Sequence, residues 1–395
     1  MTTSIHPALD VNHVLAAIDD IYDLLQAEAE DSERLRRPTP AVQKALKESG
    51  IFQLLLPIEY GGAEAGPLDI IEVISRLSHA DGSLGWLARV LTSETGYAAA
   101  SLPEETAREL FAGEDKALVA GLASMDFSGT ARKVDGGYIV DGDWQYVPGL
   151  SMATHVDLGV TVEETGARII CVVPRSSLRV NDNWNMLGLL SSGTLDYSAA
   201  ELFVPESYTF LPGPENLRRG AEVLRLSPSA LATLNQGAWS QGVGRRILDE
   251  LKQLTQENRG HSERDVTSAE FYAEFARHYS HVRGTGALLR EIWGEVNDNL
   301  EAGTKPEVEL QTMMRLSAAL STRTVLEISH LAHRFAGGSV MRNGVLQRFF
   351  RDGHAGTQHR GTAHLVTQQC GEILSGTLPE GTHWGFYDLV VPENT

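Results

Sequence analysis

The sequence predicts an α+β fold in which two helical regions flank a region of β-structure. Apolar residues recur at helical spacing in the first and last parts of the chain. Between these parts, short apolar runs alternate with Gly, Pro and Asp turn signals, which indicates strands. A chain of 395 residues is long enough to bury a large core. We therefore predict three domains, at residues 1–116, 117–213 and 214–395.

The first region carries two apolar stripes at helical spacing. They are Val14, Ile18, Ile21, Leu24 and Leu25, and then Ile70, Ile71, Ile74 and Leu77. Such spacing places the apolar side chains on one face of each helix. Pro103 begins a further short helix, with Glu104 and Glu105 in the first turn, where the helix dipole favours acidic residues.

The middle region reads as strands joined by turns. Asp135-Gly136-Gly137 is a turn signal, and the apolar residues after it alternate with more polar neighbours up to Tyr146. Residues 168–174 and 199–205 are apolar runs of strand length. Several short strands bounded by turn residues predict a compact β-barrel or a sandwich.

The last region returns to the helical period. One stripe comprises Val243, Ile247, Leu251 and Leu254, and a longer one Leu310, Met314, Ser317, Leu320, Thr324, Ile328, Leu331 and Phe335. Successive long amphipathic helices predict a helical bundle whose core these side chains form.

Composition excludes several classes of function. The 33 Lys and Arg residues against 52 Asp and Glu residues give a net charge of −19, which disfavours nucleic acid or an anionic membrane as partner. The chain has no apolar run long enough to span a membrane, and its first residues lack the pattern of a secretory signal. Its two cysteines provide no disulfide framework. We expect a cytoplasmic enzyme without a membrane or nucleic-acid partner.

Several short motifs occur in a characteristic order. They are residues 56–62 (LPIEYGG), 81–86 (DGSLGW), 136–144 (GGYIVDGDW), 192–194 (SGT), 337–338 (GG) and 348–352 (RFFRD). Together they resemble the acyl-CoA dehydrogenase superfamily along essentially the whole chain. The resemblance implies an N-terminal helical domain, a central β-barrel and a C-terminal four-helix bundle. It also implies a flavin bound between barrel and bundle, and a homotetramer.

The residues near the end of the bundle distinguish the branches of this superfamily. A dehydrogenase needs a carboxylate base over the flavin. The matching stretch here reads Gln358-His359-Arg360, and the other family position, residues 228–234, also has no acid. The chain therefore resembles the two-component flavin-dependent monooxygenases. That branch implies reduced FMN or FAD from a separate reductase, oxygen, and a small, aromatic substrate.

The resemblance designates His359 and Ser151 as catalytic candidates. An imidazole near neutral pH can take or give a substrate proton, although a structural histidine at a loop–helix junction explains the position as well. Pro148 stands where related hydroxylases carry a serine, which removes one hydroxyl and one N–H, and Ser151 is the candidate replacement.

Other candidates concern the cofactor and the substrate. Arg259 resembles the arginine that binds the flavin phosphate from a neighbouring subunit, and a solvated arginine at a helix end explains the position equally well. Leu190 stands where related hydroxylases often carry an arginine, which makes the site less suited to anionic substrates. The remaining cofactor candidates are Trp144, Ser192, Thr194, Gly337 and Gly338, and the substrate candidates are Trp86 and Phe52. Core packing is an alternative explanation for the aromatic residues.

A metal site is not expected. His354, His359 and His364 lie five residues apart, and successive steps of five rotate by about 140° around a helix, so the three side chains do not share a face. Two other functions stay open. One is a flavin-dependent dehydrogenase or oxidase of acyl thioesters or nitro compounds. The other is a non-catalytic protein that binds flavin or another ligand.

Overall fold

The computed structural model describes residues 8–122, 126–258, 268–384 and 389–390. The helices before the β region are α1 Val11–Asp20, α2 Tyr22–Ala27, α3 Ala29–Leu35, α4 Pro40–Glu48, α5 Pro67–Ala80, α6 Gly82–Ser101 and α7 Glu104–Phe111. The predicted apolar stripes lie on α1, α2 and α5, and the predicted short helix after Pro103 is α7. The helical prediction for this region is confirmed.

Strands occupy the middle of the chain. They are β1 Val119–Ala120, β2 Gly129–Val134, β3 Gly137–Val147, β4 His155–Val162, β5 Arg168–Pro174, β6 Arg179–Asn181, β7 Leu195–Pro205 and β8 Thr209–Phe210. The turn at Gly136, which has a φ of 75°, joins β2 to β3 as an antiparallel hairpin. A positive φ suits glycine because the residue has no Cβ. This hairpin confirms the turn predicted from the sequence.

These strands form one open sheet. Its order is β6-β7-β3-β2-β4-β5-β8, and the short β1 pairs in parallel with β4. Within the described strands, β6 and β8 end the sheet and do not pair with each other. The prediction of a closed β-barrel is therefore wrong. Residue alternation indicates which face of a strand is buried, but closure depends on tilt and stagger. Here the end strands have only three and two residues.

The helices after the sheet are α8 Pro228–Asn258, α9 Ala269–Glu301, α10 Val308–Phe335, α11 Val345–Gly356 and α12 His364–Leu374. A short antiparallel pair, β9 His383–Trp384 and β10 Leu389–Val390, follows them. None of the helices within the described ranges combines the length and the apolar character that crossing a bilayer requires.

The chain divides into two compact units. The first comprises residues 1–66, 86–185 and 190–231, and therefore holds the sheet and most N-terminal helices. The second comprises residues 67–85, 186–189 and 232–395, and therefore holds α5 and the C-terminal helices. The division into three domains at residues 116 and 213 stays a prediction.

Helix α10 is central to the second unit, where it packs against α9, α11 and α12. The Gln241 amide of α8 accepts hydrogen bonds from Thr285 Oγ1 of α9 at 2.8 Å and from Ser321 Oγ of α10 at 3.1 Å. Because these polar groups are buried, their mutual hydrogen bonds fix the three helices in register.

The long apolar stripe on α10 contains one wrong residue. Most of its members are buried, but Leu320 is 44 % exposed and Ser321 is 1 % exposed. Steps that alternate between four and three residues keep one face of a helix, and the step of four after Ser317 arrives at Ser321. Leu320 fits the apolar pattern of the sequence, whereas helix geometry places Ser321 in the core.

Candidate functional site

In the first unit, two loops cross beside the ends of β3 and β7. The N–H of Gly149 donates to the Ser192 carbonyl oxygen at 2.9 Å, and the N–H of Ser151 donates to the Gly193 carbonyl oxygen at 3.2 Å. Ser192 Oγ and Thr194 Oγ1 are 2.7 Å apart and hydrogen-bonded. The fold thus brings together three predicted site residues, Ser151, Ser192 and Thr194.

The crossing depends on glycine. Gly149 and Gly193 have φ values of 76° and 62°, a region that side-chain-bearing residues rarely adopt. A Cβ added at Gly193 would lie 2.0 Å from Ser151 Oγ. Glycine at this position therefore allows the two loops to approach closely, and this contact places the Ser151 hydroxyl.

Two hydroxyl groups at the crossing have no hydrogen-bond partner among the described residues. They are Ser151 Oγ and Ser191 Oγ, both buried. A buried, unsatisfied polar group costs about 1–3 kcal/mol. Such hydroxyls are available to a ligand with hydrogen-bonding atoms, and the polar edge of a flavin ring has both donors and acceptors. The residues present therefore fit a flavin.

Trp144 lies in β3 and is 2 % exposed. Its ring stacks on that of Tyr197, with centroids 5.3 Å apart, and its Nε1–H donates to the Gly159 carbonyl oxygen at 3.3 Å. Gly129 and Gly142 leave the space that the indole fills. These contacts are those of a core residue, and a contact between Trp144 and a cofactor stays a prediction.

The two substrate candidates also lie in the first unit. Phe52 is 6 % exposed in a short 3₁₀ helix. Trp86, at the start of the part of α6 that belongs to this unit, carries the Arg89 guanidinium 3.6 Å from its ring centroid. This cation–π contact orients the indole. A substrate-binding role for either residue stays a prediction.

His359 lies in the second unit and caps a 3₁₀ turn, Arg360–Thr362. The N–H of Gly361 donates to His359 Nδ1 at 3.2 Å. Since Nδ1 accepts a hydrogen, the proton of the neutral ring is on Nε2. The half-buried imidazole is thus held in one tautomer, with Nε2–H as a donor. Such a group can donate to, or protonate, a substrate oxygen.

The other predicted cofactor residues give less information. Gly337 and Gly338 follow α10 in an exposed 3₁₀ segment, and Gly337 has a φ of 54°. A Cβ at either position would meet no atom within 4 Å. Arg259 lies outside the described residues. The cofactor contacts of all three residues stay predictions.

The second unit brings two of the sequence motifs together. Asp352 is fully buried and accepts hydrogen bonds from Ser83 Oγ at 3.3 Å and from the N–H of Leu189 at 2.6 Å. Arg348 Nε lies 3.8 Å from Asp81 Oδ2, and both side chains are buried. The sequence indicated these motifs only as family features. The structure shows that they hold α11 to the start of α6 and to residues 186–189.

Three histidines also meet in the second unit. The His354 and His330 ring centroids are 5.5 Å apart, and His354 Nε2 lies 3.1 Å from Ser329 Oγ. Burial, followed by the nearby His330 and His333, lowers the pKa of His354. The pattern of residues five apart did not indicate this cluster, because two helices supply it. Across the described residues, no group of three or more His, Cys, Asp or Glu side chains is arranged to hold a metal.

The first unit contains a buried pair of acids that was not predicted from the sequence. Glu94 of α6 and Asp157 of β4 are 6 % and 3 % exposed. Burial, and next the neighbouring Asp157, raises the pKa of Glu94 well above its usual value. The sequence does contain a signal, because Glu94 is the one acid of α6 and Asp157 the one acid of the mainly apolar β4. Acidic residues are almost never fully buried unless they are paired.

Comparisons with known proteins agree with the mixed helical and sheet fold. Residues 234–364 match the family described as acyl-CoA dehydrogenase, C-terminal domain. An indole-3-acetate monooxygenase from Pseudomonas putida is 28% identical over 377 residues, which cover 92% of this chain and 93% of that protein.

Two further proteins are similar to this chain along most of its length. HsaA from Rhodococcus jostii, the oxygenase subunit of a flavin-dependent monooxygenase, is 27% identical over 363 residues, which cover 87% of this chain and 92% of that protein. The structure of XiaF from Streptomyces sp., in complex with FADH2 and glycerol, has a TM-score of 0.83. It is 19% identical, and the match covers 94% of this chain and 96% of XiaF, which shows a shared fold. Residues 234–364 thus match the acyl-CoA dehydrogenase C-terminal domain, and the chain as a whole resembles flavin-dependent monooxygenases that share this fold.

Proposed function

We propose that this protein is the oxygenase component of a two-component flavin-dependent monooxygenase that hydroxylates a small aromatic compound. Relatives that match nearly the whole chain are monooxygenases, and one is an oxygenase subunit. The observation that carries the proposal is His359 where a dehydrogenase would need a carboxylate. A histidine that carries its proton on Nε2 suits proton transfer to or from oxygen. The removal of an α-proton from a thioester needs a carboxylate instead.

Reduced flavin, when bound, supplies the electrons that activate oxygen. In the first unit, Ser151 would hold it through the buried hydroxyl that lacks a partner among the described residues. Ser192 and Thr194 would add hydrogen bonds through their paired hydroxyls. In the second unit, His359 would hold or deliver a proton at Nε2. Arg259 would bind the flavin phosphate through the two parallel donors of its guanidinium.

The finer features of the family are proposals as well. A four-helix bundle, a homotetramer, a separate flavin reductase and a cytoplasmic location are all implied by the resemblance. The oligomeric state is measured by light scattering on the purified protein. A mass of four chains supports the tetramer, and a stable monomer that remains active contradicts it.

The first experiment is an anaerobic titration of the purified protein with reduced and oxidised FMN and FAD. We expect a colourless protein that binds a reduced flavin more tightly than the oxidised form. The loaded protein, mixed with oxygen and a panel of phenols and indoles, should add one oxygen atom to a substrate, detected by mass spectrometry. A yellow protein that retains oxidised FAD through gel filtration would favour a dehydrogenase or oxidase. Tight reduced-flavin binding without turnover on any compound would favour a non-catalytic binder.

A further inference from the structure

A small cavity lies in the first unit, and the residues of the loop crossing do not line it. Helix α6 and strand β4 form its polar wall through Glu94, Tyr97, Ser101 and Asp157. Ile170 of β5 and apolar residues between positions 210 and 228 form the remainder. Its volume is about 30 Å³. A cavity needs roughly 10–15 Å³ on this scale to admit one water molecule, so this one admits a group of that size but no aromatic ring.

The cavity is unusual because two buried acidic side chains line it. Glu94 and Asp157 hydrogen-bond to each other across it. Tyr197 donates its hydroxyl to the backbone carbonyl oxygen of Asp157 at 3.0 Å, and not to the carboxylate. Among the described residues that line the cavity there is no Lys, Arg or His. The lining thus offers carboxyl oxygens as acceptors but supplies no cation of its own.

Physical chemistry limits what such a cavity can hold. A cation that hydrogen-bonds to a buried carboxylate strongly stabilises its ionised form. Such charge-assisted hydrogen bonds are about twice as strong as neutral ones. An ammonium group has three N–H donors and nearly the size of a water molecule. The apolar lining suits the hydrocarbon to which such a group is attached. A carboxylate ligand would place like charges together and is therefore disfavoured.

We propose that this cavity is a subsite for the protonated amino group of a small ligand, with Glu94 and Asp157 accepting its hydrogen bonds. The cavity and the acid pair are separate observations that indicate the same ligand chemistry. This subsite does not depend on the proposed monooxygenase activity. The amine belongs either to the substrate or to an independent small molecule.

The test is binding of three compounds of matched size to the flavin-free protein, measured by isothermal titration calorimetry. The compounds are methylamine, methanol and formate. We expect the amine to bind about tenfold or more tightly than the alcohol, as one charge-assisted hydrogen bond predicts, and formate not to bind. Equal affinities of amine and alcohol would overturn the proposal. Since no flavin is present, failure here leaves the flavin titration unaffected.

Substitutions of the two acids test whether the amine binds in this cavity. Glu94→Gln and Asp157→Asn keep the size of each side chain, and each should weaken amine binding about tenfold. Glu105→Gln, at an exposed position of α7, is the matched control and should bind the amine normally. Far-ultraviolet circular dichroism verifies that each variant folds, and either folded variant suffices for the test. Amine binding that survives both substitutions would reject the assignment of the cavity.

Competition distinguishes the two sources of the amine. If the subsite belongs to the substrate, methylamine should inhibit turnover of an amine-bearing aromatic compound competitively. If it serves an independent molecule, methylamine should bind at the same affinity whether or not substrate is present. Either result retains the amine subsite.

Discussion

Asp352 Oδ1 of α11 accepts a 2.6 Å hydrogen bond from the backbone N–H of Leu189, a residue 163 positions earlier in the chain. Leu189 has a φ of 56°, which costs free energy for a branched side chain. The same carboxylate accepts from Ser83 Oγ. One buried side chain thus secures a strained backbone segment and the start of α6 within the second unit.

We predict that Asp352→Asn destabilises the protein by about 2 kcal/mol, because hydrogen bonds to a buried charged group contribute about 1.5–3 kcal/mol. The free energy of unfolding is measured by urea denaturation. Asp182→Asn, at an exposed position, makes the same chemical change and should have almost no effect. Equal stability of the two variants would contradict the role assigned to Asp352.

Gly356 at the end of α11 provides a second prediction. A Cβ at this position would lie 2.1 Å from the buried indole of Trp239, so Gly356→Ala should lower the free energy of unfolding by about 1–3 kcal/mol through overpacking. Gly371 of α12 has open space around its Cβ position. Gly371→Ala should therefore stabilise by up to about 1 kcal/mol, because alanine favours the helix. Thermal denaturation measures both, and opposite signs are required.

The sequence predicted the periodic features well. The hairpin at Gly136, helix α7 after Pro103 and the stripe that includes Ile328 follow from local residue patterns. The open sheet did not, because closure depends on pairing between β6 and β8, which local alternation does not record. The contact of Ser151 with Gly193 and the pair Glu94–Asp157 also escaped, since each joins residues more than 40 positions apart.

Ser151→Ala separates stability from cofactor binding. Its hydroxyl is buried and has no partner among the described residues, so its loss should leave the free protein unchanged or more stable by up to about 1 kcal/mol. If this hydroxyl binds reduced flavin, the dissociation constant should increase about tenfold, the equivalent of one hydrogen bond.

Ser78→Ala is the matched control for Ser151→Ala. Its hydroxyl is likewise buried and unpaired among the described residues, but it belongs to α5 in the second unit. This variant should retain the affinity of the unmodified protein for reduced flavin in the anaerobic titration. Unchanged flavin affinity in both variants would remove Ser151 from the proposed site.

Two substitutions separate a catalytic role of His359 from its structural role in capping the turn. His359→Asn retains a side-chain oxygen that can accept from the Gly361 N–H, whereas His359→Ala loses this bond at a cost of about 1 kcal/mol. Both variants lose the imidazole, and both should reduce hydroxylation by a factor of about 10²–10⁴, the usual contribution of an acid–base group. Reduced-flavin affinity should stay within about twofold of the unmodified protein in the Asn variant.

The control for these variants is His364→Ala, at an exposed position in the same part of the chain. It should retain both turnover and stability. Product is quantified under single-turnover conditions, so that flavin supply does not limit the rate. Normal turnover in His359→Asn would show that the imidazole takes no part in the reaction.

Glu94 makes a defined contribution to the pH dependence of stability. Burial first, and then Asp157, raises the pKa of Glu94 in the folded state well above the value of 4.5 expected for an exposed glutamate. Between those two pKa values the folded protein binds more protons than the unfolded chain, so stability falls as pH rises. Each unit of difference between the two pKa values corresponds to about 1.4 kcal/mol of stability.

The variant Glu94→Gln cannot ionise and should not lose stability in this way as pH rises. Denaturation at pH 5 and pH 8 should therefore show its advantage over the unmodified protein growing with pH, whereas Glu105→Gln should follow the unmodified protein at both values. Parallel pH profiles for Glu94→Gln and the unmodified protein would mean that Glu94 is already ionised in the folded state at pH 5.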